Sequence, residues 1–473
     1  MDNNVILKVN NLKQHFRTGV GKYRIYNRAV DGVSFEIRRG EVFSLVGESG
    51  CGKTTTGRTI IKIYQPTDGE VFLLGKRIVA GTLSLREEKK ELNATYLAKI
   101  AEVKNLNLSK EEENARIKEL MVEKRQRYQE INREIRQRKR DHKEKYRPSK
   151  AEVQAVKDEA NKKIAILNEE KDKILAEFKE FKVNAFIKTD NLGSTVSDEE
   201  RNKVHQEELE AYREARRVMN EKIEEIDSEI LSHSLEYKFF RRPLLNQMQM
   251  IFQDPIDSLN PRMSVKDIIA ESLYINGIKN DKIVLQKVYE VLKLVGLQPE
   301  HADHYPHEFS GGQRQRIGIA RAIIAEPELI IADEPISALD VSIQAQVINL
   351  LNELRHKLGL TILFIAHDLS VVKFLSDRIA IMYYGKIVEI GSKERIFNHP
   401  FHPYTLSLIS SIPMPDPDYE RARGENHKYD PSVHDYSVDK PIMREIEPDH
   451  FVLCNEAEFK EYKKRLKNDN ASR

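Results

Sequence analysis

Eight residues, Gly47-Glu48-Ser49-Gly50-Cys51-Gly52-Lys53-Thr54, carry glycine, lysine and hydroxyl at the spacing G-x-x-x-x-G-K-[ST]. Such a loop turns backbone N–H groups inward around phosphates, points Lys53 at the β- and γ-phosphates and offers the Thr54 hydroxyl to Mg²⁺. An apolar run, Val42–Val46, precedes it and a helical run starting near Thr55 follows, which is the context this chemistry needs. The plainer reading is a glycine turn with a coincident lysine, in which Cys51 is a small loop residue. Further on, Leu329–Ala332 runs into Asp333 and Glu334. One carboxylate at such a strand end can hold Mg²⁺ through water, and a second can orient or deprotonate an attacking water. The competing reading is an N-cap pair ahead of Pro335.

Short strands alternating with helices must position these groups. Val42–Val46, Val71–Leu74, Met248–Phe252, Leu329–Ala332 and Thr361–Ala366 are brief apolar runs, the last three continuous enough for the middle of a parallel sheet. The 473 residues suffice for one large or two to three ordinary domains. The charge total, 77 Lys+Arg against 75 Asp+Glu, excludes a uniformly basic nucleic-acid binder. No apolar run is long enough to span a bilayer, and the first residues do not read as a signal peptide. The two cysteines, Cys51 and Cys454, form no metal or disulfide framework, so the chain reads as cytosolic.

The charge is concentrated. Residues 81–240 hold 70 of the 152 charges in 160 positions, with Pro148 the only proline. Ser109/Glu112, Ser149/Glu152 and Ser197/Glu200 have capping-box spacing ahead of helical runs. Apolar residues then recur at three- and four-residue steps, as in Val153, Val156, Ala160, Leu167 and Ile174. This predicts two or three long helices paired as a coiled-coil hairpin, an arm projecting beyond the body. Within it, Lys124–Arg147 has eleven Lys/Arg against four Asp/Glu. That stretch suits a phosphate-rich partner, RNA or anionic lipid. The favoured alternative is neutralisation by the acidic run Glu221–Glu229 across the hairpin.

Phe309-Ser310-Gly311-Gly312-Gln313-Arg314-Gln315-Arg316 resembles the signature motif of ATP-binding cassette (ABC) ATPases. Gln253 in IFQDP resembles the Q-loop, Asp333 and Glu334 the Walker B pair, Ser337–Asp340 the D-loop, and His367 the switch histidine. SLNPRM (Ser258–Met263), HPYTLSLISSIP (His402–Pro413) and REIEPDHFVLC (Arg444–Cys454) resemble the oligopeptide/dipeptide importer branch, in its F-type subunit. The resemblance covers about residues 1–80 and 241–455. Ile336 departs from the family's usual Thr.

The resemblance implies an α/β P-loop cassette, with a RecA-like core, an antiparallel β subdomain and a helical subdomain, interrupted by the helical insertion. The implied domains are 1–81, 82–240, 241–412 and a C-terminal extension, 413–473. It implies catalytic roles for Glu334, His367, Gln253 and Lys53, and Mg²⁺ ligation by Thr54, Gln253 and Asp333. ATP would be held by Gly47, Glu48, Ser49, Gly50, Cys51, Gly52, Lys53, Thr54 and Thr55. The signature Ser310, Gly311, Gly312 and Gln313, with Asp340, would meet the nucleotide bound by a second ATPase subunit, related and of D-type. Phe16 is the first choice for stacking on adenine, with Tyr23 and Tyr26 as rivals. Cys454 alone cannot hold an iron–sulfur cluster. Implied partners are two transmembrane permeases at the cytoplasmic face of the membrane and, indirectly, an extracytoplasmic solute-binding protein; no DNA is expected. Coiled-coil ABC ATPases of DNA repair and chromosome maintenance form the alternative. Their coil follows the Q-loop, whereas this one precedes Gln253.

Overall fold

The computed structural model describes residues 4–19, 25–106, 109–144, 146–191, 197–240, 242–412 and 429–471. In chain order these form β1 (Val5–Thr18), β2 (Ile25–Arg38), β3 (Val42–Val46), α1 (Lys53–Ile60), β4 (Asp68–Leu73) and β5 (Lys76–Ala80). Four long helices follow, α2 (Leu83–Lys104), α3 (Lys110–Lys143), α4 (Lys150–Asn184) and α6 (Asp198–Phe240), with a one-turn α5 (Ile187–Asp190) between the last two. Then come β6 (Met248–Ile251), α7 (Pro255–Ser258), α8 (Val265–Ile275), α9 (Asp281–Leu294), α10 (Gly311–Ile323), β7 (Leu329–Asp333), α11 (Val341–Leu358) and β8 (Thr361–Ala366). The chain closes with α12 (Leu369–Leu375), β9 (Arg378–Tyr383), β10 (Lys386–Ser392), α13 (Lys393–Asn398), α14 (Pro403–Ser410), β11 (Ile442–Glu447), β12 (His450–Cys454) and α15 (Glu456–Ala471). The chain divides into two units: Met1–Tyr146 with Leu244–Glu271 and Lys287–Arg473, and Arg147–Pro243 with Ser272–Gln286.

The first unit holds both sheets. An antiparallel one has the order β2-β1-β4-β5; a mixed one has the order β11-β12-β10-β9-β3-β8-β7-β6. In the mixed sheet β6, β7, β8, β3 and β9 run parallel. Every residue of β3, β7 and β8 is buried, as two-sided burial of a parallel strand requires of a continuous apolar run. Parallel pairing has a direct consequence for chemistry. Register places Val46 beside Ala366 and Asp333 beside Ile365, so the residues following β3, β7 and β8 share one edge. This is the α/β cassette architecture, with mixed and antiparallel sheets, that the motifs imply.

The first half of the charged block belongs to this unit and is docked, which corrects the expectation of a wholly projecting arm. The cause is ionic. From β5, Arg77 pairs with Asp141 at 2.6 Å and with Glu70 and Glu134, each at 2.9 Å. Arg138 pairs with Glu70 at 2.7 Å and donates to the Gly81 carbonyl at 3.0 Å. Burial works against ionisation of Glu134, but hydrogen bonds from Arg138 and Arg77 outweigh it and hold its pKa down. Ile131 is buried on the same face of α3, and α2 buries Leu92 and Tyr96. Arg127 takes Glu88 of α2 at 2.5 Å, so Arg127 and Arg138 find their acids in α2 and β4 rather than in Glu221–Glu229.

In the second unit α4 and α6 run antiparallel. Lys171 meets Asp227 at 2.5 Å and Phe178 lies 5.8 Å from Tyr212, so one series of numbers rises as the other falls. At the α5 end, Glu208 accepts from the Lys188 N–H at 2.9 Å and the Thr189 N–H at 3.2 Å. Both boxes predicted for α3 and α4 form reciprocally, Ser109 with Glu112 and Ser149 with Glu152. At the start of α6, the Glu200 N–H donates to the Ser197 hydroxyl at 3.3 Å.

Candidate nucleotide site

Gly47–Gly52 forms the turn between β3 and α1. Gly52 has φ 108, and a Cβ there would lie 2.0 Å from the Ala29 carbonyl oxygen, so only glycine fits. At Gly47 a Cβ would lie 2.1 Å from the Met382 carbonyl oxygen. No side chain caps α1 and no acid sits in its first turn, which leaves its N–H groups available to an anion. Lys53, buried, folds back to donate to the Gly47 carbonyl at 2.8 Å and the Glu48 carbonyl at 3.0 Å. Glu48, Ser49 and Gly50 are exposed, whereas Thr54 and Thr55 are half-buried. Burial pushes the Cys51 thiol up, which suits a packing residue rather than a nucleophile.

The carboxylates at the end of β7, Asp333 and Glu334, meet this loop. The Thr54 hydroxyl donates to Asp333 Oδ1 at 2.7 Å. Asp333 Oδ2 is buried without a hydrogen bond, 3.7 Å from Arg58. Burial raises the Asp333 pKa, and Thr54 and Arg58 only partly oppose it. Glu334 has φ 45, a left-handed conformation rare for a non-glycine residue and of a kind that clusters at active sites. Three groups converge on its carboxylate: Lys53 Nζ at 3.8 Å, Gln253 Nε2 at 3.4 Å and His367 Nδ1 at 3.0 Å. An ionised carboxylate only accepts, so His367 carries its proton on Nδ1 in this contact. Gln253, Glu334 and His367 border a cavity of about 930 Å³ that Ser49, Phe252 and Ser337 also line.

The predicted residues do not all gather there. Ser310, Gly311, Gly312, Gln313 and Asp340 do not line this cavity. Ser310 instead caps α10 in a reciprocal box with Gln313, and Asp340 occupies the N-cap of α11 without a side-chain bond. Phe16 is half-buried and packs edge-on against Tyr64, with ring centroids 5.3 Å apart. Tyr26 is exposed, and Tyr23 lies outside the described residues.

One contact had no signal in spacing. The Tyr404 hydroxyl, from the HPYT run, accepts from the Glu48 N–H at 3.0 Å. The Gly385 N–H likewise donates to the Cys51 carbonyl at 2.9 Å. The outer wall of the loop is therefore built by residues more than 330 positions downstream.

The family model "ABC transporter" matches residues 30–230 and 217–337, and "Oligopeptide/dipeptide transporter, C-terminal region" matches 388–437. "Oligopeptide transport ATP-binding protein OppF" of Bacillus subtilis (strain 168) is 39% identical over 459 residues, 97% of this chain and 98% of that protein. The Streptococcus mutans protein of that name is 61% identical over 219 residues, 46% of this chain and 70% of the other. "Dipeptide transport ATP-binding protein DppF" of Lactococcus lactis is 57% identical over 224 residues, 47% of this chain and 71% of the other. With its phosphate-type loop, paired carboxylates and mixed sheet, the chain belongs to the ABC transporter family of nucleotide-binding ATPases.

Proposed function

We propose that the chain is the ATP-hydrolysing subunit of an importer of oligopeptides or dipeptides. The observation that carries this is the convergence of Lys53, Gln253 and His367 on the Glu334 carboxylate beside a loop only glycine can form. Lys53 and the α1 N-terminus hold the β- and γ-phosphates. In accepting a proton from the attacking water, Glu334 acts as general base, and His367 and Gln253 orient that water. The Thr54 hydroxyl and Asp333 fit a hard cation, since one Asp333 oxygen is buried without a hydrogen bond. Among the described residues no group of three His, Cys, Asp or Glu could hold a metal, which agrees with an ion that keeps several waters. Thr54, Asp333 and, on the Q-loop, Gln253 would hold Mg²⁺, which would supply charge neutralisation on the phosphates when bound.

Ser310, Gly311, Gly312, Gln313 and Asp340 act on nucleotide held by a second cassette, a related D-type subunit. Their absence from the cavity lining supports this. Two permease subunits receive the motion at the cytoplasmic face of the membrane, and a solute-binding protein delivers the peptide. Among the described residues no helix is long and apolar enough to cross a membrane itself. Peptide as cargo rests on the names of the relatives and on the C-terminal match. The domains are 1–81 and 241–412 for the cassette, 82–240 for a coiled-coil-like insertion and 413–473 for the extension.

Glu334→Gln tests the reading. The purified variant is expected to bind ATP with wild-type affinity and to hydrolyse it about 10²–10⁴-fold more slowly. Turnover near wild type would remove Glu334 as the base.

A further inference from the structure

The docked helix α3 has an unpaired face. Successive residues of a helix turn by about 100°, which puts Lys118, Arg125, Arg133, Arg136, Arg140 and Lys143 within about 80° of one another. All six are exposed, and none has an ion-pair partner among the described residues. They span about 38 Å at 1.5 Å per residue. From Asn114 to the helix end at Lys143 this sector holds no Asp or Glu. The sector faces away from the docked side, on which Ile131, Glu134, Arg138 and Asp141 meet the antiparallel sheet and its ion pairs.

We propose that this face docks on an anionic lipid surface. Three observations favour lipid over RNA. No aromatic ring lies in the sector to stack a base; Tyr128 is turned aside, 4.5 Å beneath the Lys89 ammonium. Val122 lies inside the sector, exposed at 49%, and Met121 about 40° beyond its edge, exposed at 57%, which gives the basic stripe apolar contacts of an interfacial helix. The stripe also lies on one continuous helix held from behind by Arg77 and Arg138, so it presents its charges to a surface without first being ordered. Basic groups near such a surface gain from its negative potential, and the gain falls with salt. The proposal rests on the importer reading only for what brings the chain near a bilayer.

The test uses the full chain without permeases, sedimented with vesicles of phosphatidylglycerol in phosphatidylcholine and with phosphatidylcholine alone. Binding is expected to the anionic vesicles only, and to be abolished by molar salt. The quadruple variant R125E/R133E/R136E/R140E is expected to lose at least about 100-fold in partitioning. Its far-ultraviolet dichroism, melting and vesicle-free ATP binding are expected to stay at wild type, because none of the four side chains has a partner among the described residues. Equal binding to neutral vesicles, an unaltered quadruple variant, or retention of homopolymer RNA with no vesicle binding would overturn the proposal. ATP binding in the vesicle-free arm separates the two readings. Its absence from the folded wild-type chain sinks the importer reading, and vesicle binding is scored independently.

Discussion

Replacing Tyr404 by Phe removes one oxygen from a ring that is 1% exposed and leaves its apolar packing in place. The ring lies 4.4 Å from that of Tyr383 and 5.5 Å from that of Tyr429. What is lost is the acceptor for the Glu48 N–H at 3.0 Å. The Glu48 carbonyl receives the Lys53 ammonium at 3.0 Å, so the two bonds hold Glu48 on both sides in the loop onto which Lys53 folds back. An unsatisfied buried N–H costs about 1–3 kcal/mol. Glu48 is exposed, so water can replace part of the bond, and the lower end, about 1 kcal/mol, applies. Carried into nucleotide binding, that is about a fivefold rise in the KM for ATP. Because no group touching the reacting atoms changes, kcat is expected to hold. Steady-state ATPase kinetics with the Y383F variant as control reads this directly, since Tyr383 shares the ring cluster but makes no bond to Glu48. A fall in melting temperature with KM unchanged, or a loss of kcat alone, would refute the loop-positioning argument.

Burial, with help from His434, holds His402 down to about 3, against an ordinary 6.5. The unfolded chain therefore binds the extra proton as pH falls below 6.5, and stability drops by about 1.4 kcal/mol per unit toward pH 3. Urea melts of wild type and His402→Asn across pH 4–7 are expected to differ in this slope; parallel curves would discard it. His450 has the opposite sign: burial lowers its pKa, but bonds to Glu389 and Glu447 prevail and raise it. Its contribution is present below pH 6.5 and is lost as pH rises through its raised value, which His450→Gln should flatten. Arg138→Leu leaves Glu70 and Glu134 to share Arg77 alone and is expected to cost about 1–3 kcal/mol, with faster proteolysis of α3, both read by urea melts and limited trypsin.

Much of the catalytic edge was legible because each motif carries its own local context. Val42–Val46 is a strand on the residues expected, and Thr361–Ala366 likewise, since two-sided burial demands an uninterrupted apolar run. Three helices of the charged block, α3, α4 and α6, were legible from their caps for the same reason, a bond between residues three apart; α2, a fourth where two or three were expected, has no side-chain cap. Their partners were not. Charge along a helix does not name the acid it meets, and the expected pairing with Glu221–Glu229 gave way, for Arg127 and Arg138, to Glu88 and Glu70.

The sequence alone determined which residues could grip a phosphate or activate water, because glycine conformation, carboxylate chemistry and short-range spacing are properties of local chain. Only the tertiary structure decided that Glu334 collects Gln253 and His367, and that Tyr404 props the loop from 356 residues away. It alone decided which side of α3 is spent on docking and which is left bare. These are contacts across large sequence separations, set by strand order and by buried charge seeking its opposite, and no periodicity in the chain encodes them.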